Sequence, residues 1–384
     1  MYYFLIFFLL CIGCYISLSI DGHRYEKPFY IILFVLFWLT AGLRFETGMD
    51  YFSYQTTYEQ TFTLSQAAKY GRMGDFNMEP GYVFLSSIFK SMGAEINMMF
   101  LFISLITSLL LFTSFHRYIN KYKFFALLVY FSFVYFILDM SGVRQAIAVN
   151  IFLYSIRFIY EKKLFKFLIL IIAACFFHSS AMIGIIAYWI FNKKISSAFI
   201  ITSTLFGLII IALKIPLMHL AVEDILSLFM PDVIINKLVY YSDVDIVWAL
   251  NIKVILNIIV LFVLLYNREN LSAKFPYFNI IINSLFCYVF FREILWESAD
   301  INSRINFYFI FGLVMGIPLL LDLVNKKDNI LGVFVFITFL CFYQCNSFFF
   351  LRSIWNPYQN YLIFQIFDLK GSGKERFLEE ANKL

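Results

Sequence analysis

The sequence predicts an all-α, polytopic integral membrane protein with about 12–13 transmembrane helices. Of its 384 residues, 62% are hydrophobic, whereas soluble domains contain about 45–50% apolar residues. The mean hydropathy of the chain is +0.80. The apolar runs are long and continuous, and they do not alternate with polar residues as the strands of a membrane barrel do. These observations exclude an ordinary soluble domain.

The candidate spans follow one another along nearly the whole chain. They lie near residues 2–20, 28–43, 96–115, 124–138, 145–160, 165–177, 180–191, 195–213, 248–266, 276–291, 305–323 and 329–345. The first span has no basic residue ahead of it and no Ala-x-Ala site before Asp21, so we expect a retained helix and not a cleaved signal peptide. A further apolar stretch, residues 354–367, is a candidate thirteenth, partly inserted segment.

The loops between these spans fall into two sets that differ in charge. Lysine and arginine concentrate in the loops 21–27, 116–123, 161–166, 192–194, 267–274 and 325–328 and in the tail 368–384. The positive-inside rule makes this set cytoplasmic, so the N-terminus starts outside and the opposite set faces outward. The two longest loops, about 44–95 and 214–247, belong to the outward set.

This topology predicts a single polytopic membrane domain, residues 1–367, followed by a short cytoplasmic tail, residues 368–384. The tail reaches the cytoplasm only if residues 354–367 cross the membrane. Within the first outer loop, the apolar stretch 81–90 is too short to span a bilayer. We expect it to form an interfacial helix on the outer face.

The strongest functional signal is the polar island Asp139-Met-Ser-Gly-Val-Arg144-Gln145 between two apolar runs. An arginine costs about 2.5–3.5 kcal/mol at the bilayer centre, so it persists where it has a partner or a task. Arg144 and Gln145 fall in the first turn of the next predicted helix, where the helix N-terminus favours anions. This favours a phosphate site, and the alternative is an Arg144–Asp139 ion pair or snorkelling.

Another island, Arg44 to Tyr54, comes earlier in the chain and directly follows the second span. We call it the first island and residues 139–145 the second. Arg44 and Asp50 are placed to pair across a tight turn at Gly48. Tyr51 and Tyr54 offer flat faces for stacking on sugar rings. The alternative interpretation is an interfacial aromatic belt with a structural ion pair.

Three further outward islands carry candidate residues. Glu79 precedes Pro80 at the start of the predicted interfacial helix, and a simple helix cap is the favoured role. His178 could accept a proton near neutral pH or donate a hydrogen bond to phosphate. Arg304 is predicted at a helix start like Arg144, and Arg292 lies near acidic residues that could satisfy it.

The arginines Arg44, Arg144 and Arg304 share the predicted outer face without a metal-binding acidic triplet or a glycine-rich phosphate loop. We therefore predict no metal and no cofactor, and a lipid diphosphate held at the membrane edge. A glycosyltransferase would use these charges to stabilise the departing diphosphate. A lipid-linked oligosaccharide flippase would use them as a transient headgroup site. The outward bias of the charges and the lack of an evident repeat favour the transferase.

The sequence resembles the EpsG/Wzy family of bacterial polysaccharide polymerases, which includes O-antigen polymerases. The motifs that carry the resemblance are Arg44-x-x-x-Gly48-x-Asp50-Tyr51-x-x-Tyr54, Glu79-Pro80-Gly81-Tyr82, Arg144-Gln145, His178-Ser179-Ser180-Ala181, Arg304 and Asn356-Pro357-Tyr358. The resemblance implies a C-type glycosyltransferase-like bundle in the bacterial inner membrane with its active site on the periplasmic face. It implies transfer of a growing glycan from undecaprenyl diphosphate onto a new lipid-linked repeat unit.

The partners implied are the lipid-linked donor and acceptor, membrane lipids and a chain-length regulator protein, and no nucleic acid. An O-antigen ligase, which transfers finished glycan to a lipid core, is the alternative enzyme. Charge and position assign Arg144 and Arg304 to the donor diphosphate, with Arg44 supporting them or contacting the acceptor. The candidates for the base are His178 and the carboxylates Asp50, Glu79 and Asp139. A single displacement would invert the anomeric carbon.

Overall fold

The computed structural model describes residues 2–19, 22–74, 78–220, 251–324 and 326–381. Every regular element within these ranges is helical, which confirms the all-α fold class. Three helices are long and apolar enough to cross a membrane, and a bent pair, Ala299–Phe309 and Phe311–Leu323, would make a fourth. The three are Ile96–Tyr118, Asn120–Leu138 and Asn329–Asn346. The protein is thus a polytopic helical membrane protein, and the number of 12–13 spans stays a prediction.

The helices are labelled in chain order. Those of the first half are α1 Tyr2–Leu18, α2 His23–Gly42, α3 Tyr51–Gln60, α4 Leu64–Tyr70, α5 Pro80–Ser91, α6 Ile96–Tyr118, α7 Lys123–Tyr130, α8 Phe136–Leu138, α9 Val143–Tyr160 and α10 Leu164–Phe177. Those of the second half are α11 Gly184–Ile190, α12 Ser197–Ala212, α13 Leu217–Leu220, α14 Ile252–Tyr266, α15 Arg268–Lys274, α16 Phe278–Ile294, α17 Ala299–Phe309, α18 Phe311–Leu319, α19 Lys327–Asn346, α20 Tyr361–Ile366 and α21 Gly373–Ala381. A π-helical turn, Phe131–Tyr135, joins α7 to α8.

The predicted spans and loops can be compared with these helices. The span 28–43 matches α2 to within one residue at its end, the span 96–115 falls within α6, and the stretch 81–90 is helical as part of α5. Most of the second predicted outer loop, 214–247, lies outside the described residues.

The predicted thirteenth segment, residues 354–367, does not form a membrane-crossing helix. Its helical part is α20, whose six residues extend about 9 Å at 1.5 Å per residue, whereas the apolar core of a bilayer is about 30 Å thick. The tail helix α21 beyond it contacts Glu46 of the first loop. The structure thus brings the tail into contact with a loop that the predicted topology placed on the opposite side of the membrane.

The described chain forms two compact units. The first comprises Met1–Ile156, Phe165–Met182 and Lys326–Leu384, and the second comprises Arg157–Leu164 and Ile183–Asn325. The candidate residues Arg44 to His178 belong to the first unit. Arg292 and Arg304 belong to the second.

In the first unit, the polar tips of aromatic side chains link neighbouring helices. The Tyr30 hydroxyl donates to the Phe112 carbonyl at 2.6 Å, and the Trp38 indole donates to the Leu101 carbonyl at 2.9 Å. Both bonds join α2 to α6, the pair with the most extensive contact in this unit. A carbonyl already bonded within its own helix has a second lone pair for such a donor. The aromatic residues thus supply packing area and inter-helix hydrogen bonds together.

In the second unit, α16 packs between α12 and α18 and carries a fully buried amide, Asn283. Its Nδ2 group donates to the carbonyls of Ile190, Phe191 and Lys193 at 2.9, 3.1 and 2.7 Å. The last carbonyls of a helix have no partner within the helix, and leaving them bare in an apolar setting is costly. Asn283 therefore closes the C-terminal end of α11.

Candidate functional site

The first island forms a turn after α2, and Arg44 in this turn is buried. Its side chain is 1% exposed. One guanidinium nitrogen donates to the Ala41 carbonyl at 2.5 Å, and the guanidinium carbon lies 4.2 Å from the centre of the Phe100 ring. Its Nε and Nη2 atoms have no hydrogen-bond partner among the described residues. Arg44 is thus bonded to a backbone carbonyl and not to Asp50, which is exposed at the start of α3.

The turn after Arg44 rests on the second island. Gly48 has a positive φ of 105°, and a Cβ atom there would lie 2.2 Å from the Met140 carbonyl oxygen, so the position requires glycine. The backbone N–H of Met49 donates to the Ser141 hydroxyl at 2.9 Å. The predicted tight turn at Gly48 is confirmed. It joins the Arg44 island directly to the segment that leads into Arg144.

Arg144 forms an ion pair and hydrogen bond with Glu79, through Nη1 and Oε2. The two side chains are 25% and 18% exposed, so the pair lies at the edge of the protein interior. Glu79 sits ahead of Pro80 at the start of α5, but its side chain makes no capping hydrogen bond. The predicted cap is therefore wrong, and the alternative interpretation of Arg144, a pair with Asp139, is not what the structure shows. Asp139 is buried and accepts a hydrogen bond from the Tyr130 hydroxyl at 2.5 Å.

Two tyrosines of α3 are buried, and one of them, Tyr54, lies against this ion pair. Tyr54 lies with its ring centre 5.8 Å from the Arg144 guanidinium carbon and 5.2 Å from the Tyr82 ring. Tyr51 donates its hydroxyl to the Asn97 side chain at 3.1 Å. Both tyrosines are buried in one apolar cluster, so the sugar-stacking role predicted for their faces does not fit this packing. Burial raises the pKa of Tyr54, which keeps its hydroxyl neutral at physiological pH.

His178 lies at the turn that follows α10 and is largely buried. Its Nδ1 atom is 2.6 Å from the Ser180 hydroxyl, which orients the ring. Burial acts to raise the pKa of Glu79, but the Arg144 charge, hydrogen bonding and His178 outweigh it and hold the pKa below its ordinary value. Glu79 is therefore ionised at neutral pH. Arg144, Glu79 and His178 form one electrostatic cluster, contributed by three separate parts of the chain.

The remaining residue of the second island, Gln145, is buried beside Arg144 on α9. Its position gives it no exposed amide for a ligand in this conformation. Among the site residues named above, the exposed carboxylate is Asp50, whose charge acts on Tyr54. Asp50 and Arg144 thus both act on Tyr54, and His178 acts on Glu79.

The arginines of the second unit have different surroundings. Arg304 is in the second turn of α17, one turn later than predicted, and pairs with Asp300 at 2.9 Å. Both side chains are about half exposed. Arg292 donates to the Tyr288 hydroxyl at 3.1 Å. Glu293 is fully buried, and its carboxylate oxygens have no hydrogen-bond partner among the described residues, so the predicted Arg292–Glu293 pair is not formed.

Sequence reasoning missed the pairing of Glu79 with Arg144 because 65 positions separate the two residues. No periodicity or local motif connects them. It also missed the tail as a neighbour of the first island. Within the described ranges, no three His, Cys, Asp or Glu side chains are grouped closely enough to hold a metal ion.

A helical membrane protein with an arginine–carboxylate–histidine cluster at helix ends is the class that the fold and site define. The family model that describes the EpsG family matches residues 27–361. The chain therefore belongs to the EpsG family, which confirms the resemblance seen in the motifs. The match includes Arg44, Glu79, Arg144 and His178. Neither the curated proteins nor the solved structures contain a match to this chain.

Proposed function

We propose that this protein is a polysaccharide polymerase of the glycosyltransferase type. Membership of the EpsG family supports a polysaccharide polymerase-like function. In the proposed reaction, a growing glycan moves from undecaprenyl diphosphate to a new lipid-linked repeat unit on the periplasmic face of the inner membrane. The observation that carries the proposal is the cluster of Arg144, Glu79 and His178 at the start of α9.

Arg144 has the charge and position to bind the donor diphosphate. It lies in the first turn of α9, where backbone N–H groups and the helix dipole already favour an anion. Its ion pair with Glu79 keeps the guanidinium compensated while the site is empty. An arriving diphosphate offers oxygens for the same fork of donors and displaces the single carboxylate. Arg144 then stabilises the negative charge that grows on the leaving diphosphate.

The base must take the proton from the attacking sugar hydroxyl while the bond between the anomeric carbon and the diphosphate oxygen breaks. Glu79 is a poor base, because its lowered pKa and its bond to Arg144 both oppose protonation. Asp139 is buried and bonded to Tyr130. His178 is therefore the preferred base, with the exposed Asp50 as the second candidate. Direct displacement by the acceptor hydroxyl inverts the anomeric carbon without a metal.

The other predicted residues take supporting roles in this proposal. Tyr54 packs against Arg144 and helps to hold its position, Tyr51 belongs to the same apolar cluster as Tyr54, and Gln145 is the buried neighbour of Arg144 on α9. Arg44 adds positive charge from beneath the same cluster. Arg292 and Arg304 of the second unit are proposed as substrate-binding residues in their own right, and the half-exposed pair of Arg304 with Asp300 is open to exchange.

The test is gel analysis of surface polysaccharide in a deletion strain complemented with the wild type, Arg144→Ala or Lys69→Ala. Lys69 is an exposed cation on α4 of the same loop and serves as the matched control. We expect long chains from the wild type and Lys69→Ala, and single repeat units on the lipid core from Arg144→Ala at equal membrane abundance. Long chains from Arg144→Ala would contradict the site.

The same gel separates a polymerase from the two alternative functions, and the side of the membrane that the lipid-linked units face separates those two. A strain without a polymerase keeps one repeat unit on its lipid core. A strain without a ligase carries no glycan there. A strain without a flippase retains lipid-linked units that face the cytoplasm. Either of the last two phenotypes in the deletion strain would replace polymerase by that function.

A further inference from the structure

The C-terminal segment, residues 352–381, is hydrogen-bonded to the turn that carries Arg44. The backbone N–H of Phe45 donates to the Gln359 carbonyl at 2.9 Å, and that of Tyr361 donates to the Leu43 carbonyl at 2.7 Å. These bonds form an antiparallel bridge between Arg44 and Asn360. Residues near the two ends of the region that matches the family model, 27–361, therefore meet at the turn that carries Arg44.

Arg376 in the tail helix α21 bonds both to the first loop and to the chain just ahead of residue 360. Its side chain is buried, and its guanidinium donates to the Ser372 carbonyl within the tail at 3.4 Å and to three backbone carbonyls outside α21. These are Glu46 at 3.1 Å, Ser353 at 3.2 Å and Pro357 at 3.0 Å. The planar fork of donors on arginine suits such a multiple contact, which lysine cannot reproduce.

The side chain of Glu46 adds a further hydrogen bond between the turn and the tail helix. Its carboxylate accepts a hydrogen bond from the Gly373 N–H at 2.9 Å, at the N-terminus of α21, where negative charge is favoured. A Cβ atom at Gly373 would lie 2.1 Å from the Glu46 carbonyl oxygen, so the approach requires glycine. Glu46 itself has a φ of 44°, a left-handed conformation that a glutamate rarely adopts without support. The rings of Phe52 and Phe377 pack 5.9 Å apart beside it.

These contacts also require the tail and the first loop to lie on the same side of the membrane. Hydrogen bonds of about 3 Å cannot form across an apolar core about 30 Å thick. The loop that bears Glu46 is in the set predicted to face outward. The tail must therefore face outward too, although its charge made it look cytoplasmic.

We propose that the tail is an outer-face part of the active site and that Arg376 is a positioning residue for the Arg44 turn. The second half of this proposal rests on the proposed polymerase function. Arg376 holds Glu46, the turn at Gly48 rests on Met140, and Met49 bonds to Ser141 just ahead of Arg144. Loss of Arg376 would loosen both islands without removing any group that touches substrate.

The placement is tested by cysteine labelling with a membrane-impermeant maleimide in intact cells of a cysteine-free background. Lys69→Cys reports the first loop, Lys374→Cys the exposed face of the tail helix, and Lys162→Cys the opposite set of loops. We expect Lys69→Cys and Lys374→Cys to label equally and Lys162→Cys to label only after permeabilisation. Labelling of Lys374→Cys only after permeabilisation would overturn the placement, whatever the protein catalyses.

The positioning role is tested with purified full-length enzyme and a lipid-diphosphate-linked repeat unit. Arg376→Ala should raise the KM for that substrate about tenfold and leave kcat within about twofold, because the binding groups are intact but misplaced. Arg376→Lys should give a smaller increase, and Lys374→Ala should match the wild type. A fall in kcat at unchanged KM, or no change at all, would overturn the role.

The outward placement of the tail and the positioning role of Arg376 can be refuted independently. Equal labelling of the tail and loop positions with wild-type kinetics in Arg376→Ala would leave the placement standing and refute positioning. A wild-type enzyme that makes no polymer would refute the proposed function, and the labelling result would still judge the placement.

Discussion

At the residue scale, the central feature is Glu79, the carboxylate that pairs with Arg144. In the proposed mechanism, an incoming diphosphate displaces it. A partly buried arginine needs a counter-charge, and Glu79 supplies it while the site is empty. Because Glu79 faces the same guanidinium that a diphosphate would bind, the pair acts as a placeholder. This assigns compensation to Glu79 and leaves proton transfer to His178 or Asp50.

A substitution at Glu79 distinguishes a placeholder from a base. We expect Glu79→Gln to retain at least about a tenth of wild-type polymerisation, because the amide still bonds to Arg144 and proton transfer is unaffected. Arg144→Gln should retain less than about one hundredth. Initial rates of chain extension by the purified variants provide the measurement, and equal losses in the two variants would show that Glu79 takes part in the chemistry.

The role of His178 leads to a separate expectation. His178→Ala should lower kcat by about 10²–10⁴-fold with little change in substrate KM, since a general base acts in the transition state. Ser180→Ala is the matched control, because Ser180 only orients the ring. Ser180→Ala should lower kcat far less than His178→Ala does. An unchanged kcat in His178→Ala would transfer the proton-accepting role to Asp50, which Asp50→Asn then tests.

The lowered pKa of Glu79 predicts how stability depends on pH. A carboxyl whose pKa falls on folding stabilises the protein above its unfolded pKa, near the ordinary value of 4.5, and loses this contribution as the pH drops through the folded pKa. The melting temperature in detergent should therefore hold from pH 7 to about 5 and fall below that. Glu79→Gln should reduce the acid-induced fall, and an identical pH profile in both proteins would contradict the argument.

At the element scale, hydropathy predicted the helices well, because a continuous apolar run has few alternatives to a helix inside a bilayer. It identified α2, α6 and the short helix α5 from local sequence. What it could not supply was the pairing between elements. The Asn283 amide, for example, closes a helix end about 90 positions earlier in the chain, and no local pattern marks it.

Asn283 provides a stability prediction at this scale. Asn283→Leu keeps the volume but strips a donor from three carbonyls, each of which costs about 1–3 kcal/mol when left buried and bare. We expect the melting temperature in detergent to fall by several degrees. Thr202→Val on the exposed face of α12 is the control and should change it little. Equal melting temperatures for Asn283→Leu and the wild type would show that the carbonyls have other partners.

At the scale of the whole molecule, the outward bias of charge in the sequence led to the candidate face, and the family match supports polymerase-like function. The candidate residues themselves came from residue type and position. Their arrangement did not, because burial of Arg44, Tyr51 and Tyr54 depends on helices that close over them only in the folded protein. In the tail, Arg376 satisfies backbone carbonyls, so its charge is a poor guide to topology.

The most direct test of the account uses purified protein in lipid nanodiscs with a lipid-diphosphate-linked repeat unit as the only sugar substrate. The account predicts a ladder of lengthening glycans that forms without a nucleotide sugar, and its loss in Arg144→Ala but not in Lys69→Ala. A ladder of equal length and rate from Arg144→Ala would contradict the central claim that Arg144 binds and stabilises the leaving diphosphate.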